Sequence, residues 1–198
     1  MIRLRIGVLA SGGGSNLQSI IDASENGSLL GDVVVVISNN SGARALNRAR
    51  NHSIDALHIS SVTAGSAEVA DAAITDVMKA YDVDLVVLAG YMKKIGSLLL
   101  DAYQCRIVNI HPALLPKFGG QDMYGMNVHR AVIEAGETES GPTVHFVDEK
   151  YDHGDIITQI KVPVMPDDTP ELLQKRVLEQ EHRIFPEAIN TIAEKWDT

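Results

Sequence analysis

Arg5-Ile6-Gly7-Val8-Leu9-Ala10-Ser11-Gly12-Gly13-Gly14-Ser15-Asn16-Leu17 is the stretch whose reading decides the fold. Arg5–Ala10 has the character of a short buried strand, and Ser11–Ser15 is a glycine-rich turn. From Asn16 to Asn26 the apolar positions Leu17, Ile20 and Ile21 recur at helical spacing, and Gly27 is a helix stop signal. Outward from this unit the same alternation continues. Asp32–Ser38 (DVVVVIS) is a β-branched run without polar alternation, as in a strand covered on both faces. Helical Ala43–His52, a short strand near Ala56–Ile59, helical Ala67–Ala80 and the buried strands Asp84–Ala89 and Arg106–Ile110 follow. Beyond an irregular stretch, Val128–Ala135 reads as a helix and Thr143–Val147 and Asp155–Val162 as paired strands. A last helix begins at Pro170 with Thr169 as N-cap. The expected class is α/β: a Rossmann-like, mostly parallel twisted sheet with helices on both faces. No repeat, low-complexity run or linker divides the chain, so 1–198 is expected to be one domain.

Composition narrows the function. Hydrophobic residues make up 45% of the chain and charged residues 22%, as in ordinary globular proteins. The net charge of −9 disfavours sequence-independent binding of nucleic acid. No apolar run approaches the roughly 20 residues that span a bilayer, and Met1–Ile6 runs straight into a strand without a signal-peptide pattern. The single cysteine, Cys105, cannot form an internal disulfide and reads as a small buried residue at a strand start. A cytoplasmic location follows as the expectation, with neither membrane nor nucleic acid as partner.

Glycines at Gly12–Gly14 let the backbone approach a ligand, and the helix start offers N–H groups to an anion. A plain tight turn capped by Ser15 is the alternative. Two nucleotide fingerprints fail. The dinucleotide pattern needs glycine where Leu17 stands and an acid where Ser38-Asn39-Asn40 closes the second strand. The Gly-Lys-Ser/Thr tripeptide of nucleotide hydrolases is absent. A phosphate monoester remains.

Val108-Asn109-Ile110-His111-Pro112 ends a buried strand. Residues two apart share a face, so Asn109 and His111 converge on one volume beyond the strand's carboxyl end, and Pro112 stops the pairing. A neutral amide donor and a tunable imidazole can together hold an oxyanion and move a proton. Capping of loop carbonyls is the plainer reading of the same pair. Asp152 stands in a turn, and a carboxylate brought beside His111 would raise its pKa and orient it. Ala113–Asn127 is a candidate lid. His145, Asp152, His153 and Asp155 show no zinc spacing; no metal is expected, and His145 reads as a packed strand residue.

SGGGSNL (Ser11–Leu17), LAGYM (Leu88–Met92), NIHPALLPK (Asn109–Lys117), VHFVDEKYDHG (Val144–Gly154) and EQEHRI (Glu179–Ile184) occur in this order along the chain. The combination resembles the phosphoribosylglycinamide formyltransferases, folate-dependent enzymes of purine (IMP) biosynthesis. The resemblance implies a one-carbon transferase on the formyltransferase fold. It would move the formyl group of 10-formyltetrahydrofolate, as co-substrate, to the amine of glycinamide ribonucleotide. It implies Asn109, His111 and Asp152 as the catalytic set. Gly14, Ser15 and Asn16 would hold the substrate phosphate, and Leu178, Glu179, Gln180 and Glu181 its ribose and glycinamide. Tyr91, Met92, Lys93, Lys94 and Ile95, with Asn109 and Asp148, Glu149, Lys150, Tyr151 and Asp152, would line the folate slot. Bacterial relatives carry an arginine near the positions of Ser66 and Ala67, which this chain lacks. Gln121–Met126 adds lid residues beyond the shortest relatives. Rival expectations are a related formyltransferase acting on aminoacyl-tRNA or an amino sugar, a formyltetrahydrofolate hydrolase, and a non-catalytic nucleotide-binding module. Monomer and homodimer both stay open.

Overall fold

The computed structural model describes residues 3–196; Met1 and Ile2, at the head of the segment expected to run into the first strand, lie outside it. In chain order the elements are β1 (Leu4–Leu9), α1 (Ser15–Glu25), β2 (Gly31–Ser38), α2 (Arg44–Asn51), β3 (Asp55–His58), α3 (Ser61–Ala64) and α4 (Ala67–Ala80). They continue with β4 (Leu85–Leu88), α5 (Ser97–Ala102), β5 (Ile107–His111), α6 (Met126–Glu134) and β6 (Glu139–Ser140). The last are β7 (Thr143–Phe146), β8 (Ile156–Gln159), β9 (Val162–Pro163) and α7 (Pro170–Glu194). The main sheet has the order β3-β2-β1-β4-β5-β7-β8; its first five strands are parallel, and β7 runs antiparallel to both β5 and β8. A separate two-stranded ribbon joins β6 to β9.

The period-two alternation of the strands sorts their side chains between two layers. Val36, Leu4, Ile6, Val8, Val87 and Val108 pack with α1, α2 and α7, where Phe185 and Ile189 are fully buried. Val35, Ile37, Leu9, Val86 and Leu88 face the other way, against Ile74 and Met78 of α4 and Leu99 of α5. A strand buried on both faces needs no polar side, which explains the unbroken valines of β2. Helix α7 is capped as expected, Thr169 Oγ1 accepting from the Leu172 N–H at 3.4 Å. The four-residue α3, the short α5 and the β6/β9 ribbon escaped the sequence reading, because elements this brief carry too few periods to register.

One expectation and one alternative reading are corrected. Cys105 is exposed, with φ 58°, because it stands in the turn between α5 and β5 rather than within the strand. Ser15 does not cap α1; the cap is Gly14, in the left-handed region at φ 71°. A Cβ at Gly14 would stand 2.8 Å from Ala45 of α2, so both backbone and space demand glycine there.

Order reverses beside β1: β2 and β3 lie to one side, β4 and β5 to the other. The loops after β1 and β4 diverge there and open a crevice at the carboxyl ends of the strands. Replacement of fully buried Phe185 by Ala should cost about 3–5 kcal/mol in urea unfolding. Replacement of Leu172, 52% exposed on the same helix, should stay within about 0.5 kcal/mol.

Candidate active site

The crevice holds a cleft of about 450 Å³. At one end lie the backbone of Ser11–Gly14 and the first turn of α1 (Ser15, Asn16); α7 closes that side with Gln174, Leu178 and Glu181. These three recur at helical spacing, so one face of α7 meets the cleft. Glu179 is exposed and, like Gln180, falls outside the cleft lining. Gln174 was missed, although extending the Leu178/Glu181 face one turn back would have found it.

The other end narrows into a slot of about 70 Å³ between Tyr91, Lys93, Lys94 and Ile95 on one side and Asp148–Asp152 on the other. Met92 lines the main cleft instead. Asn109, Tyr91 and Asp152 border both spaces. Against the slot lies a hollow of about 780 Å³, lined by Ala67, Glu68, Tyr91, Lys93 and Lys94 among others. Ser66, close to the hollow in sequence, caps α4 by accepting from the Val69 N–H.

At the junction of cleft and slot the expected trio comes together. The antiparallel register sets Asn109 opposite His145 and His111 opposite Thr143. His145, only 1% exposed, donates from Nδ1 to the Phe146 carbonyl at 2.7 Å. Its Nε2 is then free to accept from Asn109 Nδ2 at 3.2 Å, which aims the amide. The packed role expected for His145 thus includes orienting Asn109.

Asp152 sits in a turn at φ 54°, with Oδ2 3.4 Å from His111 Nδ1 and Oδ1 3.6 Å from His145 Nε2. The lid reaches both partners: Gly120 N–H donates to Asp152 Oδ2 at 2.9 Å, and His111 Nε2–H donates to the Phe118 carbonyl at 2.8 Å. Burial works against the Asp152 charge, yet the nearby His145 and His111 rings and the Gly120 N–H still hold its pKa below the ordinary value. Burial also dominates at His111 and lowers its pKa, although Asp152 and the Phe118 carbonyl pull upward. The expected rise at His111 is therefore corrected. At 3.4 Å the pair is looser than a charge-assisted hydrogen bond, and desolvation wins.

Two further buried groups face this space. Glu181 accepts from Asn16 Nδ2 at 2.6 Å, and burial pushes its pKa up. His129 of α6 is buried with Nδ1 unpartnered. Burial and nearby His111 lower its pKa to about 4. Glu181 lies in the Glu179–Ile184 motif and was expected at the site, whereas His129 lies in no motif and followed a segment legible only as irregular. Among the described residues, no three His, Cys, Asp or Glu side chains are grouped to hold a metal ion. No helix among them is long and apolar enough to cross a membrane. His129 binds its proton less readily folded than unfolded, where the value is near 6.5. It should therefore cost stability as pH falls from roughly 6.5 to about 4, a slope in urea midpoint that His129→Gln should flatten.

The chain has counterparts in sequence and in fold. Residues 4–189 match a family model described as formyl transferase. The chain is 43% identical over 198 residues to a chloroplastic phosphoribosylglycinamide formyltransferase of Arabidopsis thaliana, spanning 98% of this chain and 68% of that protein. With the phosphoribosylglycinamide formyltransferase of Haemophilus influenzae it shares 42% identity over 195 residues, 98% of this chain and 87% of the other. The crystal structure of glycinamide ribonucleotide transformylase 1 from Symbiobacterium toebii superposes with a TM-score of 0.92 at 47% identity, covering 98% of this chain and 89% of that one. Sequence match and shared architecture agree over nearly the full length, and the chain belongs to the formyl transferase family.

Proposed function

We propose that this chain is a phosphoribosylglycinamide formyltransferase of purine biosynthesis, with 10-formyltetrahydrofolate as formyl donor and the amine of 5-phosphoribosylglycinamide as acceptor. One observation carries the reading. A single cleft has an anion cradle at one end and a narrow slot at the other, with Asn109, His111 and Asp152 at their junction. The named relatives support the same acceptor. The cradle of Gly14, Ser15 and Asn16 suits the phosphate. Leu178 and Glu181 border the space for ribose and glycinamide, and the Tyr91–Ile95 and Asp148–Asp152 walls suit a flat pterin. The Tyr91–Ile95 backbone would bind it with the carbonyls and N–H groups of an irregular loop.

In the reaction the amine attacks the formyl carbon, and negative charge gathers on the formyl oxygen. Asn109, aimed by His145, donates to that oxygen. His111 Nε2–H donates as well, once the lid carbonyl of Phe118 gives up that proton. The oxygen thus takes the place of Phe118 O, and the lid is coupled to arrival of the donor. Asp152, kept ionised, receives the proton of the attacking amine and passes it towards the departing folate nitrogen. Both substrates are small molecules, and we place the reaction in the cytoplasm, in keeping with the lone thiol Cys105.

Incubation with both substrates, following tetrahydrofolate release, tests the assignment. Release that depends on the sugar amine is expected; release without it would make the chain a hydrolase, and none at all would make it a binding module. His111→Ala and Asp152→Asn should each lower kcat by about 10²-fold or more, with KM for both substrates within roughly threefold. Near wild-type turnover in either variant would remove these residues from the mechanism.

A further inference from the structure

We propose that the guanidinium of Arg44 is the cation that clamps the substrate phosphate over the Gly12–Asn16 cradle, an assignment that rests on reading that cradle as the phosphate end of the cleft. A phosphate monoester carries close to two negative charges at neutral pH. The helix start offers it N–H donors and about half a positive charge, in a protein of net charge −9. The face of α7 across the cleft supplies Gln174, Leu178 and Glu181, none of them cationic. A counter-charge must come from the side of the loop that α2 covers.

Two arginines of α2 lie on that side. Arg48 is committed to the loop itself, its Nε donating to the Gly13 carbonyl at 2.9 Å and its Nη1 to Gln18 Oε1 at 2.9 Å. Arg44, the first residue of α2, makes no hydrogen bond or ion pair among the described residues, and its side chain is exposed. Its Nη2 stands 3.4 Å from the point that a Cβ on Gly13 would occupy. The start of α2 is fixed against the cradle, because Ala45 N–H donates to the Gly12 carbonyl at 3.1 Å and Gly14 packs on Ala45. Arg44 is thus anchored at its base and unpaired at its head, beside glycines that leave room for a ligand. Within the cradle, Asn16 is buried at 9% exposure and keeps Oδ1 without a partner, an acceptor placed for a hydroxyl or amine of the ligand that carries the phosphate rather than for the phosphate itself. The guanidinium fork matches two phosphate oxygens, so it adds orientation as well as charge.

Inorganic phosphate and ribose 5-phosphate, as competitors of glycinamide ribonucleotide, are the probes. Arg44→Met should raise the KM for that substrate and the Ki of both probes roughly tenfold, with kcat within about twofold. Arg44→Lys should recover part of the loss, and raising salt by about 0.2 M should narrow the gap between wild type and Arg44→Met. The KM for dephosphorylated glycinamide riboside should not change. Equal Ki values in wild type and Arg44→Met would overturn the role of Arg44 alone. Failure of either probe to compete even on wild type would overturn the cradle reading beneath it.

Discussion

The carboxylate of Asp152 meets three parts of the chain that are distant in sequence. Its oxygens lie within 3.6 Å of His111 on β5 and His145 on β7, and one accepts the Gly120 N–H of the lid. A charge held this far from water is stable only with donors around it. The left-handed turn at Asp152, the antiparallel pairing of β5 with β7 and the course of the loop through Phe118 and Gly120 therefore depend on one another. Removing the carboxylate would leave the Gly120 amide without its acceptor and two buried imidazoles without the charge beside them.

A second hydroxyl-centred junction ties the two ends of the cleft together. Ser11 Oγ donates to Asn39 Oδ1 at 2.5 Å and accepts the Met92 N–H at 2.8 Å, while Ser11 N–H donates to the Gly90 carbonyl at 3.0 Å. The anion cradle after β1 and the slot wall after β4 thus share one support. Their separation is set by neighbouring strands of the sheet rather than by either loop. This fixed spacing suits a reaction in which two substrates must meet at one carbon.

Parts of this were legible in the residues. The valines of β2 and the glycine turn after β1 declared a parallel sheet, since only a strand buried on both faces can be so uniformly apolar. Asn109 and His111 declared a shared face by their spacing. Other parts were not. The fall in the His111 pKa comes from the bulk of protein around it, a quantity that no spacing encodes. Glu179 and Gln180 lay in a recognisable motif yet fall outside the cleft lining, because a helix offers only one face and that face runs through Gln174, Leu178 and Glu181.

The sequence by itself determined the α/β order, the glycine turn and the shared face of Asn109 and His111, because period and turn chemistry are local properties; the grouping of Asp152 with that pair came from the family resemblance. Only the tertiary structure decided that Asp152 meets His111 across 41 positions, that His145 aims Asn109, and that the Phe118 carbonyl holds the imidazole proton. The register of β5 against β7 and the course of the lid fix those contacts. Both are settled by burial of side chains that lie far apart along the chain, which is why local pattern could not disclose them.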